Sequence, residues 1–335
     1  MERVTIRDVA AAAGVSYQTV SRVLNDKPDV ADETRRRVWQ VIEELGYQPS
    51  AVARSLVFKK THTLGLITAD FSDYFFTQVI IGAEVEARRS GYFFLLGSTE
   101  RNPADEPEYL RLLTERQVDG ILFARPSTEG DSEHLVSLVR QGVPLVTTAY
   151  YIPGEELMVV DVDNLEGGLQ ATNCLIQAGH RRIGMISGPA SWKSADDRAR
   201  GYRLALEQAG VALNESFIER ADWSLQGGYE AMKRLLNRVP ELTALFAQND
   251  WIAIGAMKAL REAGRRLPDD VAIVGYDDLP VAAYTDPPLT TIHQPMQEVG
   301  QLAARLLIQS VEDPDMEREE VLLKPELVRR GSCGS

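Results

Sequence analysis

The amino-acid sequence predicts a small all-α head carrying a helix-turn-helix, followed by a larger α/β body of doubly wound parallel sheets. Three observations carry this. The stretch "GVSYQTVSRVLN", residues 14–25, is a glycine turn leading into a short helix that opens with large polar side chains. From residue 61 onward, short apolar runs alternate with amphipathic segments, the βαβ pattern of parallel sheets. The charge is also divided: the whole chain stands at −13, yet residues 1–60 hold ten Lys/Arg against eight Asp/Glu, which leaves −15 on the remainder. A weakly basic head on an acidic body is the asymmetry expected when only the head meets phosphate.

In the head, Thr5 with Asp8 three residues on has the form of a capping box opening a helix from Ile6 to Ala13, with Gly14 as its stop. Val9, Ala10 and Ala13 make its inward face. Ser16 is a good N-cap for a second helix, Tyr17 to about Asn25, with Val20, Val23 and Leu24 as its apolar positions. A third helix is expected from Glu33 to Leu45, with Val38, Val41, Ile42 and Leu45 inward, Asp32 as cap and Gly46 as C-terminal stop. Tyr17, Gln18 and Arg22 must then point outward. The second helix of such a motif lies in the major groove and reads bases with its N-terminal residues. Gln suits adenine, Arg suits guanine O6 and N7, and a tyrosine packs on a thymine methyl or bonds a phosphate. Thr5, Ser16, Thr19, Ser21 and Asn25 complete the expected DNA-binding set of the head.

In the body, "TLGLIT", "YFFLLGS", "DGILFA", "PLVTTAY", "RIGMISG", "TALFAQND" and "VAIVGYDD" read as buried parallel strands, with helices such as 78–90 and 197–209 between them. So many strands over this length imply two sheets. Ligands of such sheets sit beyond the carboxyl ends of the strands. The residues there include Phe71 to Phe76, Arg125, Tyr150, Arg198, Asn249, Asp250 and Asp277. Amide, carboxylate, guanidinium and aromatic groups together suit a polyhydroxylated ligand.

"TIRDVAAAAGVSYQTVSRVLN" followed by "ETRRRVWQVIEELGYQPSAVARSL" closely resembles the head of the lactose repressor (LacI/GalR) family of bacterial transcription regulators. The resemblance implies a DNA-binding domain at 1–49 and a hinge helix and linker at 50–60. Its hinge forms only on DNA, against the hinge of a second subunit. Leu56 would wedge into the minor groove, Ala53 would lie at the hinge contact and Arg54 near phosphate. The body resembles a two-lobed, type I periplasmic-binding-protein fold. That likeness implies a first lobe of 61–161 and 292–322 and a second of 162–291 and 323–330. "RARGYRLAL" matches the family's effector motif at Arg198, "AQNDWIAIGAM" at Asn249 and Asp250, and "VAIVGYDDLP" at Asp277. Trp223 is the implied stacking partner, and "LTTIHQP" puts Gln294 near the cleft; Phe75, Arg125 and Tyr150 complete the implied effector site.

Two departures from the family pattern stand out. Asp73-Tyr74-Phe75-Phe76 replaces the usual Asn-Pro-Phe-Phe, and Ala149 stands where an aspartate commonly ends the fourth strand. Aromatics are gained, which hints at a disaccharide; Trp192 and Trp251 add to them, although core packing is the better reading of Phe76 and Trp251. The function implied is a homodimeric repressor on a palindromic operator, released or engaged by a small molecule, most simply a mono- or disaccharide inducer. A purine or sugar-phosphate co-repressor is the alternative. No apolar heptads follow "LVRRGSCGS", so a dimer is expected rather than a tetramer.

Other functions find little support. "GPASWKS" lacks the glycine that a phosphate-binding P-loop needs before its lysine. The four histidines have no metal spacing, no nucleophile motif is present, and the adjacent acids Asp196-Asp197 and Asp269-Asp270 read as solvated loop charges. No enzyme activity, cofactor or metal is therefore expected. An exported solute receptor would share the body but would need an export signal, which "MERVTIRDVAAAAG" does not resemble. No run reaches the roughly 18 apolar residues of a membrane span. Only Cys174 and Cys333 are present, far apart in sequence, with no disulfide framework. A cytoplasmic protein is the expectation.

Overall fold

A computed structural model describes residues 4–24, 27–47, 60–124, 133–149 and 157–334. The hinge segment with Ala53, Arg54 and Leu56 lies outside the described residues, as do Asn25, Arg125 and Tyr150. The chain divides into two compact units, Met1–Thr61 and His62–Ser335.

The head holds three helices, α1 (Ile6–Ala13), α2 (Tyr17–Leu24) and α3 (Asp32–Leu45). Asp8 accepts from both the amide and the hydroxyl of Thr5 at 2.7 Å, fixing the start of α1. Ser16 accepts from the Thr19 amide at 3.1 Å and so caps α2. Gly14 and Gly46 stop α1 and α3 in the left-handed conformation, at φ 65° and 60°. Val9, Val20, Val23, Val38 and Ile42 close a core that no single helix of this length would sustain. Two expectations fail here. Asp32 is the first residue of α3, with Ala31 at the cap and no capping side-chain bond. Leu45 is 38% exposed, because α3 ends just as its apolar stripe turns away from the other two helices.

The body begins with β1 (Thr63–Thr68), α4 (Tyr74–Arg89), β2 (Phe93–Ser98), α5 (Glu106–Glu115), β3 (Gly120–Ala124), α6 (Glu133–Arg140), β4 (Leu145–Thr148) and β5 (Met158–Val162). It continues with α7 (Asn164–Gln177), β6 (Ile183–Ser187), α8 (Lys193–Gln208), β7 (Ile218–Arg220), α9 (Leu225–Arg238), β8 (Ala244–Ala247), α10 (Asp250–Glu262) and β9 (Ala272–Val274). The last elements are β10 (Thr291–His293), α11 (Met296–Glu312), β11 (Glu320–Leu323) and β12 (Glu326–Val328). One sheet runs β11-β5-β4-β3-β1-β2 and the other β7-β6-β8-β9, all parallel, while β10 and β12 form a separate antiparallel pair. The chain thus leaves the first sheet after β5, builds the second, and returns to the first through α11 and β11.

Strand β2 corrects the expectation of a buried strand. It lies at the sheet edge, with Phe93 58% and Leu96 51% exposed. Asp196 and Asp197 are not loop charges either: Asp196 lies in the first turn of α8, and Asp197, just beyond it, pairs with Lys193 at 2.5 Å and with Arg200 at 2.9 Å. An acid in a first helical turn is stabilised by the helix dipole. Trp251 is 38% exposed, contrary to the core-packing reading, because α10 turns that position outward; Phe76 is buried as expected.

Helices cross at unusually close range. A Cβ on Gly82 of α4 would collide with the carbonyl of Gln297 in α11, and one on Gly300 of α11 with the carbonyl of Val79. Backbone cannot move aside as a side-chain tip can. We expect Gly300→Ala to destabilise the body by about 1–3 kcal/mol, overpacking outweighing the helix propensity gained. Urea unfolding of the variant against wild type measures it.

Candidate functional site

On the head, Tyr17, Gln18 and Arg22 all project from α2 into solvent, while Val20 and Val23 on its other side are buried. Thr19 is half-buried beneath them, its hydroxyl 2.9 Å from that of Ser16. Thr5 is committed to Asp8 through its hydroxyl. Arg22 pairs with Asp29 at 3.2 Å, both side chains more than half exposed. A pair so exposed is worth about 0–1 kcal/mol, so Arg22 gives up Asp29 at little cost.

In the body, a cleft of about 850 Å³ lies between the two sheets. It brings together Phe75, Arg198, Trp223, Asn249, Asp277 and Gln294 of the expected residues, along with Trp192 and Trp251. Asp250 belongs elsewhere. It is fully buried, accepts from Thr291 Oγ1 at 2.6 Å and the Leu279 amide at 2.8 Å, and ties α10 to the returning chain.

Arg198, on α8, is the organising group. Its Nε donates to Asn164 at 2.9 Å and its Nη1 to the Gln248 carbonyl at 2.6 Å. Its guanidinium lies 3.7 Å from the centre of the Tyr276 ring and 3.9 Å from the Asp277 carboxylate. Asp277 also accepts from Gln294 Nε2 at 2.7 Å. Asn249 caps α10, accepting from the Ile252 amide at 2.7 Å, and donates to the Trp223 carbonyl at 3.1 Å, which fixes the tryptophan loop. Trp223 and Trp192 meet edge to face, their centroids 5.2 Å apart at 62°. A Cβ on Gly188 would overlap the Trp223 ring, so only glycine leaves that ring its place.

Two polar atoms in this cleft have no hydrogen-bond partner among the described residues although both are buried: Trp223 Nε1, a donor, and Gln294 Oε1, an acceptor. Buried polar groups in native proteins are otherwise nearly always paired.

The first lobe contributes a second polar group. Arg101 donates to Asp70 at 3.1 Å and to Asp73 at 2.8 Å, and Asp73 also caps α4 through the Phe75 amide at 2.9 Å. Sequence reasoning did not single out Arg101, Asp70, Asp161 or Asn164. Asp161 sits inside β5, where an acid reads as a strand breaker, and its only signal was its place in "VVDVDN".

Burial pushes both Asp161 and Asp277 up to about 7; Arg198 pulls each partly back, and Asp73 adds repulsion at Asp277. The folded protein therefore holds protons that the unfolded chain releases. That contribution is fully present below pH about 4 and is lost as pH rises through about 7. We expect the stability advantage of Asp277→Asn over wild type to grow across this window and to level off above it. Melting temperatures of both proteins at a series of pH values measure the difference.

Residues 5–50 match the bacterial regulatory proteins, lacI family, and residues 172–333 match the periplasmic binding protein-like domain. The chain is 37% identical over 331 residues to the "HTH-type transcriptional repressor PurR" of Photobacterium profundum, covering 98% of each protein. Among solved structures, a "transcriptional regulator CelR-cellobiose complex" is 35% identical with a TM-score of 0.76, covering 98% of this chain and 100% of that one. The lac repressor dimer bound to operator and the anti-inducer ONPF is 29% identical with a TM-score of 0.88, covering both chains in full. A head that exposes the polar face of α2, joined to a cleft of this build and matched along nearly its whole length, settles the class: the chain belongs to the lacI family of bacterial regulatory proteins and is a DNA-binding transcriptional repressor, not an enzyme.

Proposed function

We propose that the protein acts in the cytoplasm as a homodimer on a palindromic operator and that a neutral mono- or disaccharide bound in the cleft releases it. The observation that carries the ligand class is the pair of unpartnered buried atoms, Trp223 Nε1 and Gln294 Oε1. A sugar hydroxyl both donates and accepts, so neighbouring hydroxyls answer both atoms. Arg198, Asp277 and Asn249 stand beside them for further hydroxyls, and the tryptophan rings cover an apolar sugar face.

Charge argues against a sugar phosphate. Seven carboxylates line the cleft against two guanidiniums, and both guanidiniums are already engaged. A planar purine finds no parallel slot between Trp192 and Trp223, which lean on each other at 62°. The cleft volume, near the top of the roughly 300–1,000 Å³ usual for small-molecule sites, leaves room for a second sugar ring. The cellobiose named with one solved relative is consistent with that size.

The dimer is supported by the exposed apolar edge of the first sheet, since an uncovered edge strand of this kind invites pairing. One solved relative is described as a dimer on its operator. We expect Leu96→Arg to yield a monomer by light scattering and to weaken operator binding about 100-fold, through loss of the second half-site contact. No helix among the described residues is long and apolar enough to cross a membrane.

The ligand class is tested by tryptophan fluorescence. Titration with neutral mono- and disaccharides is expected to perturb Trp223 and Trp192, and the signal should fall in Trp223→Phe and fall further when Trp192 is replaced as well. A response to purines or sugar phosphates alone would replace the sugar reading with the co-repressor one.

A further inference from the structure

The two cysteines, read from sequence as unrelated, meet in space. Cys174 lies on α7 and Cys333 in the segment after β12; both are buried, and their sulfur atoms are hydrogen-bonded at 2.8 Å. They are the only cysteines of the chain, so no other thiol of the protein competes for either.

Each side of the pair is held. Ser332, next to Cys333, donates its hydroxyl to the Ile273 carbonyl at 2.7 Å and accepts from the Thr290 amide at 2.8 Å. The Ile273 amide donates back to the Ser332 carbonyl at 2.7 Å. On the other side Arg329 donates to Gln177 at the end of α7 at 3.1 Å. These bonds leave Cys333 little freedom to turn away from Cys174. The hydrogen bond from Cys333, with the charge of Arg329, holds the Cys174 thiol below its ordinary value, while the same bond and burial push the Cys333 thiol up, so the first thiolate of the pair is that of Cys174. Gly334 beside the pair is exposed, so an oxidant has a short path once the last residues open.

We propose that Cys174 and Cys333 are a modification site at which a low-molecular-weight disulfide cross-links the segment after β12 to α7. A thiolate of the pair attacks one sulfur of the reagent, whose S–S bond breaks and releases one thiol. The second cysteine thiolate then attacks the mixed disulfide and displaces the other thiol. One S–S bond forms in the protein and one is lost from the reagent; two protons and two electrons leave the cysteines and appear in the two released thiols. The bridge closes a very long ring around the second lobe. It pins the strand β9 that leads to Asp277 and leaves the cleft side chains where they are.

The experiment uses the full-length protein exposed to oxidised glutathione a few degrees below its melting temperature, then denatured and alkylated. The expected product is a single chain lighter by two hydrogens that takes up no alkyl group. Its melting temperature should be raised by about 5 °C or more and should return to the starting value with dithiothreitol. Cys333→Ser should show no such rise and retain at most one glutathione on Cys174. Two alkylatable thiols after exposure, cross-linked pairs of chains, or an internal disulfide with unchanged melting temperature would each overturn the proposal.

Discussion

Arg198→Ala is expected to abolish the response of operator binding to the effector while leaving operator affinity itself unchanged. The side chain is 4% exposed and bonds to α7, to the end of β8 and to the ring of Tyr276, so it sets the floor of the cleft. It is also the nearest cation to Asp277 and one of the groups that holds down the charge cost of Asp161. Truncation removes hydroxyl-directed donors and leaves the Asp277 and Asp161 carboxyls without that cation. Leaving one partner of a buried pair alone costs about 3–5 kcal/mol, so a lower melting temperature accompanies an effector affinity reduced about 100-fold or more. Arg198→Lys keeps the charge but loses the fork that reaches Asn164 and Gln248 together, and it should recover stability better than effector affinity. Operator anisotropy with and without sugar separates the two effects. A folded Arg198→Ala protein with normal effector response would remove Arg198 from the site.

Arg22→Ala is expected to act at the other end. It should cost about 1–3 kcal/mol on the cognate operator and narrow the gap between that operator and scrambled DNA, because a base contact is lost and no phosphate contact is removed. Loss of the Asp29 pair is too small to account for such a change, since both groups are solvent-exposed. An unchanged preference for the operator would show that Arg22 does not read a base.

The head could be read from sequence because its determinants are local. Caps at Thr5 and Ser16, glycine stops at 14 and 46 and a 3.6-residue apolar period together fix three short helices. The cleft residues Arg198, Asn249 and Asp277 were accessible through the motifs that resemble the family's; Asn249 and Asp277 follow β8 and β9, and Arg198 lies in the helix after β6. What escaped was non-local. An apolar run such as "YFFLLGS" looks the same at the centre of a sheet and at its edge, and only the strand order shows β2 to be outermost. The short strands β7, β10, β11 and β12 carry too few residues for a period to emerge. Asp161 within β5, Arg101 after β2 and the contact between Cys174 and Cys333 depend on which elements the fold sets side by side.

The most direct measurement is the anisotropy of a labelled palindromic operator titrated with the full-length protein at fixed salt, alone and with saturating neutral saccharide. Effector and DNA bind one molecule, so linkage requires each to weaken the other by the same factor. We expect one mono- or disaccharide to lower operator affinity by that factor, to leave weak binding to scrambled DNA unchanged, and to bind correspondingly less tightly to the operator complex. Operator binding indifferent to every saccharide, or appearing only when a purine is added, would contradict the inducible repressor described above.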